Sequence, residues 1–508
     1  MAEKAPKLTR IWNGSALPLD RVARMNMDGF QMAVGEAIAR GWRVSTLFAL
    51  NRGEDTGLEL VAVFADDARA TLHVSIAAVE NNWFPSLTPA CPQLHMFERE
   101  IYEQFGVVPG GHPWLKPVRY AGPFPGSATR EIPDSPEIGR AEYFQVRGEE
   151  VHEVAVGPVH AGVIEPGHFR FQCHGENVFH LEIMLGYQHR GVEEAALGGP
   201  HKITQRQMET LAGDTSIGHG WAYCQNLEAL SGAQAPPRAL VLRGIALELE
   251  RLANHAGDLG ALAGDVGYLP TMSYCGRLRG DFLNMSAALC GNRFGRNLLV
   301  PGGVRFDCDV ATVKDLEDRL ATAEREITQA VNLLWNTPSA LGRFEHTGAV
   351  TRRQCVDLGM VGPAARACGV EVDVRCTHPT GIYQFTTIPA AIAHYGDVNS
   401  RAFVRWLEIQ RSLLFLRERL HTLPEGPLRV DCAPLAANSL VVSLVEGWRG
   451  EICHVAITNV QGRFARYKIT DPSFHNWMGL ALALRGQQIS DFPLCNKSFN
   501  LSYCGFDL

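Results

Sequence analysis

The sequence predicts an α+β protein, with a small N-terminal α+β unit followed by a mainly helical unit carrying minor β-sheet. Three observations predict it. Short β-branched runs joined by turn residues lie in the first eighty positions. Apolar residues recur at helical spacing through long windows of the second half. A stretch rich in Pro, Gly and charge separates the two. At 508 residues the chain is also too long for one ordinary core.

In the first unit, expected over residues 1–120, Met32, Ala33, Ala37 and Ile38 mark an amphipathic helix within Met27–Arg40. LELVAVFA (58–65) and ATLHVSIAAV (70–79) read as strands, and the intervening Asp66, Asp67, Ala68 and Arg69 as a hairpin turn. In residues 96–120 charges, aromatics and glycines alternate too closely for a plain helix. Residues 121–150 read as a linker. The second unit, 151–508, carries three long helices. One opens at Ala235-Pro236-Pro237 and places Val241, Ile245, Leu249, Leu252 and Ala256 on one face. The others span about 311–335 and 400–420, and together they predict a helical-bundle core. A β-rich patch follows at 441–459.

Bulk properties exclude several functions. Hydrophobic content of 46%, charged content of 20% and a net charge of -7 describe a globular protein without the basic face of a nucleic-acid binder. No window reaches the roughly 18 uncharged apolar residues that span a bilayer, and the N-terminus shows no secretory h-region. An intracellular chain that meets a membrane through partners is expected. No GxGxxG opens a βαβ unit, so nicotinamide chemistry belongs elsewhere. The thirteen cysteines are scattered with no CxxC, the pattern of small buried hydrophobes.

The densest polar cluster is GPVHAGVIEPGHFRFQ (157–172), where Pro and Gly prevent a helix and present His160, Glu165, His168 and Arg170 from a loop. These are catalytic candidates; alternatively, the histidines satisfy backbone groups. LGYQHRGVEE (185–194) is a second cluster, and GDTSIGHGWAY (213–223) adds Asp214 and His219, the latter expected against the first loop.

These motifs carry a resemblance. GPVHAGVIEPGHFRFQ, GEN (175–177) and LGYQHRGVEE resemble the first signature of the large subunit of membrane-bound nickel–iron hydrogenases of formate hydrogenlyase and hydrogenase-4 type, a family homologous to the quinone-site subunit of complex I. ELERLANHAGDLGALAGD (248–265), PGGVRFD (301–307), EGWRGE (446–451) and DPSFHNW (471–477) continue the match in order. EREIYEQFGVVPGGHPWL (98–115) resembles the small hydrophilic 30 kDa-type subunit of complex I, fused ahead of the large subunit; there it implies a docking surface.

The chain departs from the hydrogenases at the metal. A nickel–iron centre needs four thiolates, since soft sulfur holds nickel and bridges it to iron. The resemblance places the first pair at Ala212 and Thr215, ahead of His219 and Tyr223, and the second at Ser502 and Gly505, with Cys504 between them. None is a cysteine. The resemblance puts Arg449 near the iron ligands in hydrogenases, whereas here EGWRGE reads as a structural turn. In complex I the corresponding cavity uses a histidine, matched by His168, and a tyrosine, whose position falls near Gly213. Two readings follow. One is a nickel-free large subunit in an energy-converting complex, with a 4Fe-4S cluster in a partner small subunit and antiporter-like membrane partners, at the cytoplasmic side of the inner membrane. The other is a subunit reducing a quinone or another small acceptor, with His168, Asp214 and His219 as proton donors. An active hydrogenase fails on the absence of any CxxC. Glu248, Arg251 and His255 are expected to pair along their helix.

Overall fold

The computed structural model describes residues 8–51, 57–125, 138, 142–160 and 164–508. Half of the expected linker, residues 126–137 and 139–141, lies outside the described residues. The N-terminal part builds a five-stranded sheet from β1 (Thr9–Ile11), β3 (Arg24–Met25), β4 (Arg43–Asn51), β5 (Leu58–Asp66) and β6 (Thr71–Ala78), in the order β1-β6-β5-β4 with β3 beside β6. Strands β5 and β6 form the expected hairpin, pairing Asp66 with Thr71. Helix α1 (Met27–Ala39) is capped by Asn26, which accepts from the Gly29 amide.

Strand β2 (Ala16–Pro18) leaves this sheet and pairs antiparallel with β10 (Ser439–Gly447), Leu17 opposite Leu440. It completes a four-stranded sheet with β11 (Gly450–Thr458) and β12 (Phe464–Thr470), in the order β12-β11-β10-β2. Val61, Val63, Leu72 and Val74 of the first sheet share one buried cluster with Leu440, Val442, Leu444 and Val455 of the other. The two parts of the chain therefore share a core. Burial of such side chains is worth ~1.5–3 kcal/mol each.

Residues 96–120 depart from expectation. Helix α2 (His95–Phe105) is regular and ends at Gly106 in the left-handed conformation. Its charges sit inside: Glu98, Glu100, Glu103 and Arg99 are all buried. Lys468 on β12 meets Glu100 at 2.7 Å, and Arg119 meets it at 2.5 Å. The charges of the motif expected to dock on a partner are covered by this same chain, while Gly111 and Pro113 stay exposed.

A three-stranded sheet follows, with β8 (His168–His174) between β7 (Val151–Val156) and β9 (Asn177–Met184). The helical body comprises α3 (Ser216–Ser231), α4 (Pro237–Asp265), α5 (Leu269–Cys290), α6 (Val310–Trp335) and α7 (Val398–His421). Pro237 stands at the first turn of α4, where its missing N–H costs nothing. Helix α4 packs on α5 and α7 and is buried nearly all round, its charged residues Arg243, Glu248, Glu250 and Arg251 included. Helix α8 (Pro472–Ala483) follows β12, with Asp471 as its cap. Among the described residues, no helix is long and apolar enough to cross a membrane.

Candidate functional site

The loop before α3, the β10–β11 turn and the C-terminal segment converge on one place. Arg449, at that turn, clamps Asp214 with Nη1 to Oδ1 at 2.6 Å and Nη2 to Oδ2 at 3.0 Å. This is the fork geometry in which a guanidinium reads a carboxylate. Arg449 Nη1 also donates to Thr215 Oγ1 at 3.3 Å, and Nε to the Asn500 carbonyl at 2.6 Å. The Asp214 carbonyl accepts from Trp448 Nε1 and from Asn254 Nδ2. Burial works against the Arg449 charge, but Asp214 overrides it and holds the guanidinium above its ordinary pKa.

The C-terminal segment closes the other side. Ser502 Oγ accepts from the Gly505 amide at 2.9 Å, and its own amide donates to Ser473 Oγ at 2.8 Å. The Cys504 thiol lies against Glu165, and burial pushes it up to about 11. Glu165 is otherwise 3.5 Å from the Tyr503 amide. Gly505 abuts Asp471: a Cβ there would come within 2.7 Å of the Asp471 carboxyl carbon and 2.9 Å of Ser502 Oγ.

Asp471 cannot give way. Its Oδ1 caps α8 through the Ser473 amide at 2.7 Å, and its Oδ2 accepts from His219 Nε2 at 3.0 Å. His219 Nδ1 then accepts from His454 Nε2 at 3.0 Å, and His454 Nδ1 from the Tyr467 hydroxyl at 3.0 Å. Each ring nitrogen has one role in this chain, which fixes both tautomers. Burial opposes ionisation of Asp471, yet His219 and Arg449 hold its pKa below the usual value. His219 is thus fixed by Asp471 and His454, with no bond to the described residues of the expected 157–172 loop; it lies on a helix that faces the β10–β12 sheet.

Of the expected loop, residues 161–163 lie outside the described residues, and His168 and Arg170 belong to strand β8 instead. His168 Nδ1 donates to the Gly157 carbonyl at 3.1 Å, and its Nε2 accepts from Arg170 Nε at 3.3 Å. Burial lowers its pKa. Arg170 bonds Glu153 and lies over the Tyr143 ring at 4.3 Å. His160 Nε2 donates to the Gly167 carbonyl at 3.0 Å. The structure therefore joins Asp214, Thr215, Arg449, Ser502 and Gly505, with Glu165 at the rim through Cys504. His168 and Arg170 form a separate pair with Glu153 and Tyr143.

Sequence reasoning missed Asp471, His454 and Glu250. Asp471 carried one signal, an Asp-Pro ahead of an apolar run, which marks a helix cap. Glu250 accepts from the Ile217 amide at 2.7 Å and the Gly218 amide at 3.3 Å. Burial, reinforced by Asp214, raises its pKa to about 8 against the two amides. An acid whose folded-state pKa is raised makes the fold lose stability as pH rises from about 4.5 to about 8. Glu250→Gln is therefore expected to gain stability relative to the wild type across that window and hold the gain above it. Denaturant midpoints at about pH 5 and pH 9 check this.

The side chains present do not fit the nickel–iron centre that the resemblance implies. Neither Ala212 nor Gly505 offers a ligating atom, Thr215 and Ser502 offer hard hydroxyls, and Asp471 fills the space a side chain at 505 would take.

Comparison with known proteins places this architecture. The chain is similar to the "Carbon monoxide-induced hydrogenase" of Rhodospirillum rubrum, with 33% identity over 356 residues, 69% of this chain and 97% of that protein. The family described as "Respiratory-chain NADH dehydrogenase, 49 Kd subunit" matches residues 265–440. The chain belongs to the complex I 49 kDa and membrane-bound hydrogenase large-subunit family. The matching 30 kDa family, "Respiratory-chain NADH dehydrogenase, 30 Kd subunit", covers residues 36–131 of this family member, as its N-terminal motif implied. Two further relatives represent the hydrogenase and complex I branches. "Formate hydrogenlyase subunit 5" of Escherichia coli is 29% identical over 438 residues, 83% of this chain and 76% of that protein. "NADH-quinone oxidoreductase subunit 4" of Thermus thermophilus is 28% identical over 369 residues, 67% of this chain and 90% of that protein.

Proposed function

We propose that this member of the family is the large subunit of a membrane-associated oxidoreductase complex and takes part in electron transfer coupled to ion movement without a nickel–iron centre of its own. The observation that carries this reading is the closure at Gly505. A ligand at that position meets Asp471, which is locked by His219, while the Thr215 hydroxyl is engaged by Arg449, itself clamped on Asp214. The relatives' names supply the kind of complex. An iron–sulfur small subunit, antiporter-like membrane subunits and attachment to the cytoplasmic face belong to the same proposal, as does the division into units at 1–120 and 151–508.

The test is isolation of the native complex with metal, flavin and quinone analysis. Iron without stoichiometric nickel is the expected result. A nickel atom held by the loop around Gly213 or by residues 500–508 would overturn the reading. The same preparation addresses reduction of a quinone-type acceptor, which requires a proton donor at the site. Asp214 and His219 are engaged with Arg449, Asp471 and His454; His168, bonded to the Gly157 carbonyl and Arg170, is the one of the three outside that network. If acceptor reduction is found and His168→Ala abolishes it, the chain is itself catalytic.

A further inference from the structure

Behind the Trp448–Arg449 turn lies a second, fully buried group of charges that the site does not use. Glu248 and Arg251 of α4 meet Glu408 of α7, Arg366 of the short helix Gly362–Arg366, Arg375 of the short helix Val374–Thr377 with its cap Asp373, and Glu446 of β10. Arg366 donates to Glu408 Oε1 at 2.6 Å and to Glu446 Oε1 at 2.8 Å. Arg375 donates to Asp373 Oδ2 at 2.6 Å and to both oxygens of Glu248 at 3.2 Å. Arg251 donates to Glu248 Oε2 at 3.0 Å and to the carbonyls of Glu446 and Gly447. Tyr383 and Ser412 donate hydroxyls to Glu248.

The charges do not balance. Four carboxylates, Glu248, Asp373, Glu408 and Glu446, face three guanidiniums, Arg251, Arg366 and Arg375. Arg405 of α7 is committed to Asp258 at 2.7 Å. Arg411, a half-buried residue of α7 bonded to the neutral Pro389 carbonyl, keeps its charge and acts on Glu408 and Asp373 only from the solvent side, where water screens it. An unmatched charge in a dry interior is costly, and proteins resolve it by taking up a proton. Two groups can hold that proton. Glu446 is one, yet Oε1 and Oε2 already accept from Arg366 and from the Val374 amide. His255 of α4 is the other: its Nε2 bonds Glu408 Oε2 at 2.8 Å, but its buried Nδ1 has no partner. Burial raises Glu446 to about 7 and lowers His255, so Glu446 is the favoured seat and His255 the second.

We propose that this cluster binds one exchangeable proton, shared between Glu446 and His255. Access is on one side, where a small cavity of about 10 Å3, at the lower limit of the room a single water needs, is lined by Glu446, Arg375, Thr380 and Tyr383. On the other side the His255 ring stands edge-on to Trp448 at 6.1 Å, the neighbour of Arg449. A charge change at the Arg449–Asp214 pair is felt across this turn and is answered by the proton passing from Glu446 to His255. The proposal needs only this chain and does not rest on the electron-transfer reading.

The experiment is proton release by the purified full-length chain, titrated from about pH 5 to about pH 9, with infrared difference spectra of carboxylic acid and imidazolium bands. Glu446→Gln leaves three carboxylates facing three guanidiniums. It is expected to fold, to release one proton fewer than the wild type, and to keep His255 neutral throughout. His255→Gln is expected to confine the proton to Glu446 and strengthen the carboxylic acid band. Equal proton release by the wild type and Glu446→Gln overturns the proposal. So does failure of Glu446→Gln to fold, since a cluster one cation short tolerates a neutral residue there.

Discussion

Glu408→Ala is expected to leave little folded protein. Glu408 is 1% exposed and accepts from Arg366 through Nε at 3.1 Å and Nη2 at 2.6 Å, and from His255 Nε2 at 2.8 Å. Arg251 Nη1 lies 3.5 Å from its second oxygen. The guanidiniums hold its carboxyl well below the usual carboxylate range although burial pulls the other way. Truncation takes the doubly bonded carboxylate from Arg366, which keeps only the Glu446 carboxylate at hydrogen-bond distance, leaves His255 Nε2 unpartnered, and adds a cavity. Breaking such a pair costs ~3–5 kcal/mol, a large share of the ~5–15 kcal/mol by which a typical fold is stable. Soluble yield and the denaturation midpoint followed by circular dichroism give the readout. Asp357→Ala is the control: its partner Arg353 is solvated, and no measurable change is expected.

Lys468→Met is the second large effect, and it falls on the joint between the two parts of the chain. Lys468 Nζ lies 2.7 Å from Glu100 of α2 and 3.0 Å from Glu193, while Arg466 holds the other oxygen of Glu193 at 2.9 Å. Arg119 links Glu100 to the Phe506 carbonyl, so α2, β12 and the C-terminal segment share one ionic cluster. Methionine matches the lysine stem but leaves Glu100 and Glu193 short of a charge, at a cost of about 3 kcal/mol. The pH dependence identifies the cause. Burial opposes the Glu100 charge, yet Lys468 and Arg119 depress its pKa to about 2. A depressed carboxylate contributes stability above its unfolded pKa, near 4.5, that is lost as pH falls through about 2. The variant should therefore show a shallower decline of stability with acid over that window. An unchanged slope would mean that Glu100 draws nothing from Lys468.

The residues made some of this legible. The apolar rows of α4, α6 and α7 repeat at helical spacing and bury one another, so their extents were readable to within a few positions. The β5–β6 hairpin was equally plain, because its turn residues sit between two β-branched runs. Helix α2 was not, because periodicity counts apolar residues, and this helix buries Glu98, Glu100 and Glu103, with Glu100 held by a cation hundreds of positions away. Helical pairing along α4 held for Glu248 and Arg251, whereas His255 found Glu408 on α7. At the site, the motifs located Asp214, Thr215, Arg449, Ser502 and Gly505. The Asp471–His219–His454 chain is a product of tertiary packing between α3 and the β10–β12 sheet. No local pattern announces such a contact.

The three residues of β2 also constrain the order in which this molecule can be completed. Asn13, just ahead of them, receives the Leu444 amide at 2.8 Å and returns a bond to the Leu444 carbonyl, 431 positions downstream. On a ribosome, this segment must wait, unpartnered, until β10 has emerged. Contacts of such long loop closure form late and slowly. Without β2, the β10 edge would present bare amides and carbonyls to any passing strand. The stretch from Asn13 to Pro18 thus acts as a clasp fastened late, and a clipped product that lacks it is the form most exposed to aggregation and proteolysis.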